Sequence, residues 1–150
     1  MVNEIHSWKT IVLPAENKVA RDSGIDATNL NGNQTILMVD DEDLLLTMGQ
    51  TVLSAFGYKV ITANSGQKAL ELFSQSQAPI DLVITDLVMP AMSGRELVER
   101  IQQLAPHTRI LCTSGFVRPS NDSDHSFYLQ KPFTSQDLLV KVKNALTATP

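Results

Sequence analysis

The chain has 150 residues, 43% of them hydrophobic and 19% charged, with a formal net charge of −4 at pH 7. That length suits one domain able to bury a proper core, and an acidic balance without any basic cluster argues against nucleic acid or anionic membrane as a partner. The single cysteine, Cys112, excludes an internal disulfide and a cysteine-rich zinc site; with neither a signal-peptide pattern nor an apolar run of spanning length, a cytoplasmic location is expected.

Residues 1–33 differ in texture from the remainder. Trp8–Pro14 (WKTIVLP) reads as one short strand, and Ala15–Asn33 is rich in Asn, Asp, Ser and Gly without periodicity, as in a tail or linker. From residue 34 to 148 the pattern is regular. Ile36-Leu37-Met38-Val39 is an apolar strand that ends in four acids, Asp40 to Asp43. In the helix that follows, Leu45, Met48, Val52 and Phe56 recur at helical spacing, and Gly57 stops it. Tyr58–Thr62 is the next strand, and Ser65 can cap a helix over Gln67–Ser74 with Ala69, Leu70 and Phe73 inward. Leu82-Val83-Ile84-Thr85 reads as a strand buried on both faces, because it does not alternate polar with apolar. Asp86 marks the carboxyl end of that strand, and Met89-Pro90 break the chain after it. Ser93 can cap a helix with Leu97, Ile101 and Leu104 on one face, ended by Pro106. Arg109–Thr113 is a fourth strand finishing at Ser114-Gly115. Phe127–Gln130 is the fifth, closed by Lys131-Pro132, before a helix over Ser135–Leu146 with Leu139, Val142 and Leu146 inward. This alternation predicts an α/β fold, a doubly wound parallel sheet of five strands with helices on both faces. The step from Ser114 to Phe127 departs from it. The intervening GFVRPSNDSDHS holds a proline, serines and no apolar periodicity, so the helix between the fourth and fifth strands is expected to be short or missing.

A parallel sheet puts the carboxyl ends of its strands on one edge, where chemistry collects in open α/β folds. Asp40, Asp41, Asp86, Ser114 and Lys131 therefore become neighbours without being adjacent in sequence. Asp86 alone reads more readily as a loop cap; the convergence of the other four is what argues for a site. Carboxylates about 7 Å apart repel by roughly 2 kcal/mol per pair at an effective dielectric near 20. A divalent cation relieves that repulsion, and oxygen-only ligands point to Mg²⁺. A carboxylate beside Mg²⁺, an ammonium and a hydroxyl suits the receipt of a phosphoryl group. A carboxylate nucleophile is ionised at neutral pH and needs no general base, while the cations and donors take up charge on the phosphoryl oxygens.

These motifs, VDDED, DLVMPAMSG, TSG and LQKPFT in that order, resemble the receiver (response-regulator) domain of two-component signalling over roughly residues 34–148. The resemblance implies a flavodoxin-like sheet of order 2-1-3-4-5. It implies that Asp86 is the phosphoacceptor, taking its phosphoryl group from a phosphohistidine, and that Asp40, Asp41, Asp86 and the backbone carbonyl of Val88 hold Mg²⁺. Ser114 matches the switch hydroxyl, Lys131 the pocket lysine, Tyr128 the aromatic switch position, and Pro132 a proline after a cis bond. The implied partners are a sensor histidine kinase or histidine phosphotransfer protein and a downstream effector, with no nucleic acid and no membrane. Such a domain is not an enzyme beyond catalysing its own phosphorylation and dephosphorylation. WKTIVLP with its polar linker resembles the closing strand of a kinase ATP-binding domain leading into a C-terminal receiver. The rival reading is a pseudo-receiver that binds partners without phosphorylation. A phosphatase with an aspartyl-phosphate intermediate is disfavoured, because Val88 stands where its second acid would fall.

Overall fold

The computed structural model describes residues 29–116 and 127–148; the WKTIVLP segment and the connection over 117–126 lie outside the described residues. The central strand is β3 (Leu82–Asp86), all five residues of which are buried. Beside it runs β1 (Thr35–Val39), then β2 (Lys59–Ala63) at one edge, with β4 (Arg109–Ser114) and β5 (Phe127–Gln130) on the other side. The sheet order is β2-β1-β3-β4-β5 and every pairing is parallel. The flavodoxin-like order implied by the motifs is the one observed.

Side chains alternate across the sheet, so each apolar strand supplies two cores. Ile36, Met38, Leu82 and Ile84 face a cluster shared with α1 (Asp43–Ala55) and α4 (Ser135–Thr147). Leu37, Val39 and Val83 face the other cluster, built with α2 (Gly66–Gln75) and α3 (Gly94–Leu104), where Cys112 is also buried. Full burial of a Leu or Ile contributes about 1.5–3 kcal/mol relative to exposure, which is why unbroken apolar runs settle in the middle of the sheet.

Helix starts follow the sequence closely. Ser65 Oγ accepts from Lys68 N at 3.1 Å and Ser93 Oγ accepts from Glu96 N at 3.1 Å. Thr134 and Asp137 form a reciprocal capping box at the start of α4. Gly57 ends α1 with a φ of 101°, a left-handed conformation that disfavours any residue with a Cβ. The last turn of α4 has no basic residue of its own. Arg109 supplies the missing cation, its guanidinium donating to Ala145 O at 2.6 Å and Ala148 O at 2.9 Å.

Two readings need correction. The inward face of α1 is turned by one position: Leu46, Gly49, Val52 and Leu53 are the buried residues, while Leu45, Met48 and Phe56 are half-buried. The cause is Gly49, which lies so close to Met38 that a Cβ there would sit 2.3 Å from its sulfur, so the helix seats on its smallest residue. Leu104 is not core; it is 61% exposed and lines the surface groove between α2 and α3 with Leu70. Packing also begins before residue 34: Leu30 is fully buried in the α1–α4 core.

One glycine ties the fold to the carboxyl edge of the sheet. A Cβ on Gly94, the first residue of α3, would lie 2.0 Å from the backbone oxygen of Asp86. Gly94→Ala must therefore push the helix start off the end of β3. The expected result is a loss of about 1–3 kcal/mol in urea unfolding, as for other overpacked sites, and an unchanged urea midpoint would contradict the close approach.

Candidate functional site

Strand register sets the site. Val39 pairs with Thr85, Asp86 with Thr113 and Ser114 with Gln130, so the residues that follow each strand emerge on one edge. Asp40 extends β1 by donating its own N–H to Ala63 O at 3.2 Å. The residue is 1% exposed; its Oδ1 accepts from Glu42 N at 2.8 Å and its Oδ2 from Lys131 Nζ at 2.9 Å. Asp86 closes β3. Its Oδ1 accepts from Val88 N at 3.2 Å and its Oδ2 from Lys131 Nζ at 3.1 Å. Asp41 is exposed, yet carboxylate oxygens of Asp40, Asp41 and Asp86 all lie within 4.8 Å of one another.

Two unit charges at that separation repel by about 3 kcal/mol at an effective dielectric near 20. The described cation against this cluster is Lys131, whose ammonium also lies 3.4 Å from Glu42 Oε1. Burial alone would lower the Lys131 pKa, but hydrogen bonds and charge from Asp40 and Asp86 overcome it and hold the ammonium well above its usual range. For Asp40 the balance runs the other way: burial raises its pKa, the Asp86 charge adds to the rise, and the Glu42 N–H and Lys131 only partly offset it. A hard divalent cation fits this donor set, which is oxygen-only, excess in negative charge and open to solvent on the Asp41 side.

The main chain around Asp86 is held as firmly as its carboxylate. Thr85 Oγ1 donates to Asp86 O at 3.0 Å, and Leu87 N donates to Thr113 O at 2.9 Å. Pro90 is followed by Ala91 at a φ of 67°, a left-handed conformation that costs an L residue about 1–2 kcal/mol. The Lys131–Pro132 peptide bond is cis.

Of the residues expected at the site, the structure brings Asp40, Asp41, Asp86 and Lys131 together. Val88 lies beside them, and it is its N–H that reaches Asp86. Ser114 and Tyr128 turn elsewhere, to the two backbone polar groups of Phe116. Buried Ser114 accepts the Phe116 N–H at 3.1 Å through Oγ, and the Tyr128 hydroxyl donates to Phe116 O. Phe116 itself is 72% exposed. Reading by residue type gave no role to Glu42 or Gly94, although they stand inside VDDED and DLVMPAMSG, and it missed Thr85 and Phe116. Thr85, a hydroxyl inside an otherwise apolar strand, was also a legible signal; Phe116 depends on how separate segments meet.

The family model described as a response regulator receiver domain matches residues 36–143. The chain belongs to that family, and the domain it forms is a receiver of two-component signalling. It is 34% identical over 125 residues to the sensor kinase CckA of Brucella abortus, covering 80% of this chain and 13% of the kinase. Among solved structures, it is similar to the chemotaxis protein CheY4 of Vibrio cholerae, with a TM-score of 0.70 and 28% identity over 77% of this chain and all of that one. It is likewise similar to the receiver domain of the hybrid histidine kinase CckA, with a TM-score of 0.67 and 29% identity over 75% of this chain and 99% of that one. The chain thus spans about one eighth of the length of the sensor kinases it matches. Among the described residues no helix is long and apolar enough to cross a membrane.

Two outcomes follow from the charge balance. Lys131→Met leaves the carboxylates without their ammonium and should lower stability in EDTA by about 2 kcal/mol, somewhat less than the loss of a fully buried partner, as read from urea unfolding. Asp40→Asn should do the opposite. Because folding raises the Asp40 pKa, the stability linked to its protonated form is present at low pH and lost as pH rises through the folded value. Removing the charge therefore raises the urea midpoint at pH 7, and the gain shrinks as the pH falls into the acid range. An equal gain at both pH values would refute this.

Proposed function

We propose that Asp86 accepts a phosphoryl group from a phosphohistidine, supplied by a sensor histidine kinase or a histidine phosphotransfer protein. The observation that carries this is the Asp86 carboxylate at the strand end, held by the Val88 N–H and the Lys131 ammonium beside a second and third carboxylate. An Asp86 oxygen forms the bond to phosphorus as the phosphorus–nitrogen bond breaks, and the imidazole nitrogen keeps the electron pair. Lys131 neutralises charge on a phosphoryl oxygen. Asp40, Asp41, Asp86 and the Val88 carbonyl would hold Mg²⁺, which when bound supplies further neutralisation of the phosphoryl oxygens. Apart from its own phosphorylation and hydrolytic dephosphorylation, the domain catalyses nothing.

Readout is a shift between two conformations. In this reading the Ser114 hydroxyl turns from the Phe116 N–H to a phosphoryl oxygen, and Tyr128 follows through the Phe116 carbonyl. The receiver is taken to occupy 34–148 with Leu30 to Asn33 packed onto it, and the residues before them link it to a kinase portion like those of its sensor-kinase relatives. A cytoplasmic setting and a downstream effector protein belong to the same proposal.

Incubation with acetyl phosphate and Mg²⁺ should add the mass of one phosphoryl group. Asp86→Asn should abolish the gain, EDTA should suppress it, and Lys131→Met should slow it by about 10²-fold or more, the scale expected when a transition-state donor is lost. No gain in the unmodified chain, or an undiminished gain in Asp86→Asn, would instead favour a protein-binding module that works without phosphorylation.

A further inference from the structure

The chain just ahead of β1 is built into the fold in a way that the phosphoacceptor chemistry does not use. Leu30 is buried in the α1–α4 core, and its carbonyl accepts from the buried Tyr58 hydroxyl at 3.4 Å. Gly32 donates to Phe56 O at 2.9 Å, at the carboxyl end of α1. The crossing is tight on both sides. A Cβ on Gly32 would meet the Tyr58 ring at 2.2 Å, and one on Gly57 would meet Gly32 O at 2.3 Å. On the other flank, Lys143 of α4 donates to Asn31 O at 2.8 Å. The segment from Leu30 to Gln34 is thus clasped between α1 and α4.

Both of those helices begin at the acidic pocket. α1 starts at Asp43, two residues after Asp41, and its N-cap residue Glu42 faces Lys131. α4 starts at Ser135, four residues after Lys131. Each helix has 13 residues, a rod of about 20 Å. One rod therefore runs from just after the pocket acids to Phe56 at its C-cap; the other starts four residues after the pocket lysine and carries Lys143. The pocket lies at the near ends of both rods and the clasp toward their far ends, and in between the rods pack through a shared core, Leu46 and Leu53 of α1 with Leu138 and Val142 of α4.

We infer that the Leu30–Gln34 clasp is a conformational coupling device: a change of charge in the pocket shifts α1 against α4, and the clasp passes that shift to whatever part of the chain precedes it. This rests on the phosphoacceptor reading of Asp86. Coupling between two sites is reciprocal, so a pull on the preceding chain biases the pocket in return. The preceding chain is then a second route of communication, separate from the Ser114–Phe116–Tyr128 contacts.

The test follows exchange of the Gly32 amide hydrogen by NMR in the full 150-residue chain. It compares Mg²⁺ alone with Mg²⁺ plus acetyl phosphate, and phosphorylation is read as intact mass from the same samples. Gly32 exchange should differ by about fivefold or more between the two conditions, the lower end of ordinary coupling strengths. Lys143→Met, which releases the solvent-facing side of the clasp, and Leu30→Ala, which loosens its buried side, should each shrink that difference. If the mass shows a phosphoryl group and Gly32 exchange is unmoved, the clasp is a passive strap and the inference falls while the phosphoacceptor reading stands. A Gly32 response that persists in full in both variants also overturns it. If no phosphoryl group is gained, the phosphoacceptor reading fails and the coupling fails with it.

Discussion

One ammonium among four carboxylates organises this domain. Lys131 reaches Asp40, Asp86 and Glu42 from the end of β5, joining strands that are not sequence neighbours and, in the case of β1 and β5, are not sheet neighbours either. Without it, the carboxyl edge would be a ring of like charges at short range. With it, the edge still carries excess negative charge, and that residue of unbalanced charge makes the pocket receptive to a cation and then to a phosphoryl group. The parallel sheet is the condition for this. Only parallel strands in matching register bring Asp40, Asp86 and Lys131 out on the same side.

Much of this could be read from residue types, because parallel strands announce themselves as apolar runs and their polar end residues must share an edge. Asp40, Asp41, Asp86 and Lys131 were legible for that reason, as were the Ser65 and Ser93 caps and the helix stop at Gly57. The less legible features depend on contact between segments. Three leucines in a row at 44–46 cannot tell which one faces inward; the small Gly49 against Met38 decides it, leaving Leu44 86% exposed. Leu104 satisfied the helical period but met another helix's surface instead of the sheet. Leu30 lies in polar sequence without periodicity, so nothing local marks it as core.

Ser114 and Tyr128 show a subtler limit. Motif position places both at the site, and Ser114 does close β4 while Tyr128 lies within β5, yet their hydroxyls engage the N–H and the carbonyl of Phe116 and not the acidic trio. Position in a motif identifies which residues matter without saying which of several partners each one holds. The geometry adds that information: Ser114 holds the N–H of Phe116 and Tyr128 its carbonyl, so the two side chains tie down the peptide groups on either side of one residue.

The hydrogen bonds from Arg109 to the end of α4 belong to a set with a common character. At the amino-terminal edge of the sheet the ties are between backbone groups, or between a charged side chain and backbone: Arg109 to Ala145 and Ala148, Asp81 to Thr35, Gly32 to Phe56. At the carboxyl edge backbone ties such as Leu87 N to Thr113 O are joined by ties between side-chain charges, Lys131 to Asp40, Asp86 and Glu42, and a proton, a metal ion or a substitution can rewrite the latter without disturbing a strand. The domain is thus polar in durability as well as in topology. One end keeps the shape, and the other can be retuned to a new donor or a new lifetime while the same fold persists beneath it.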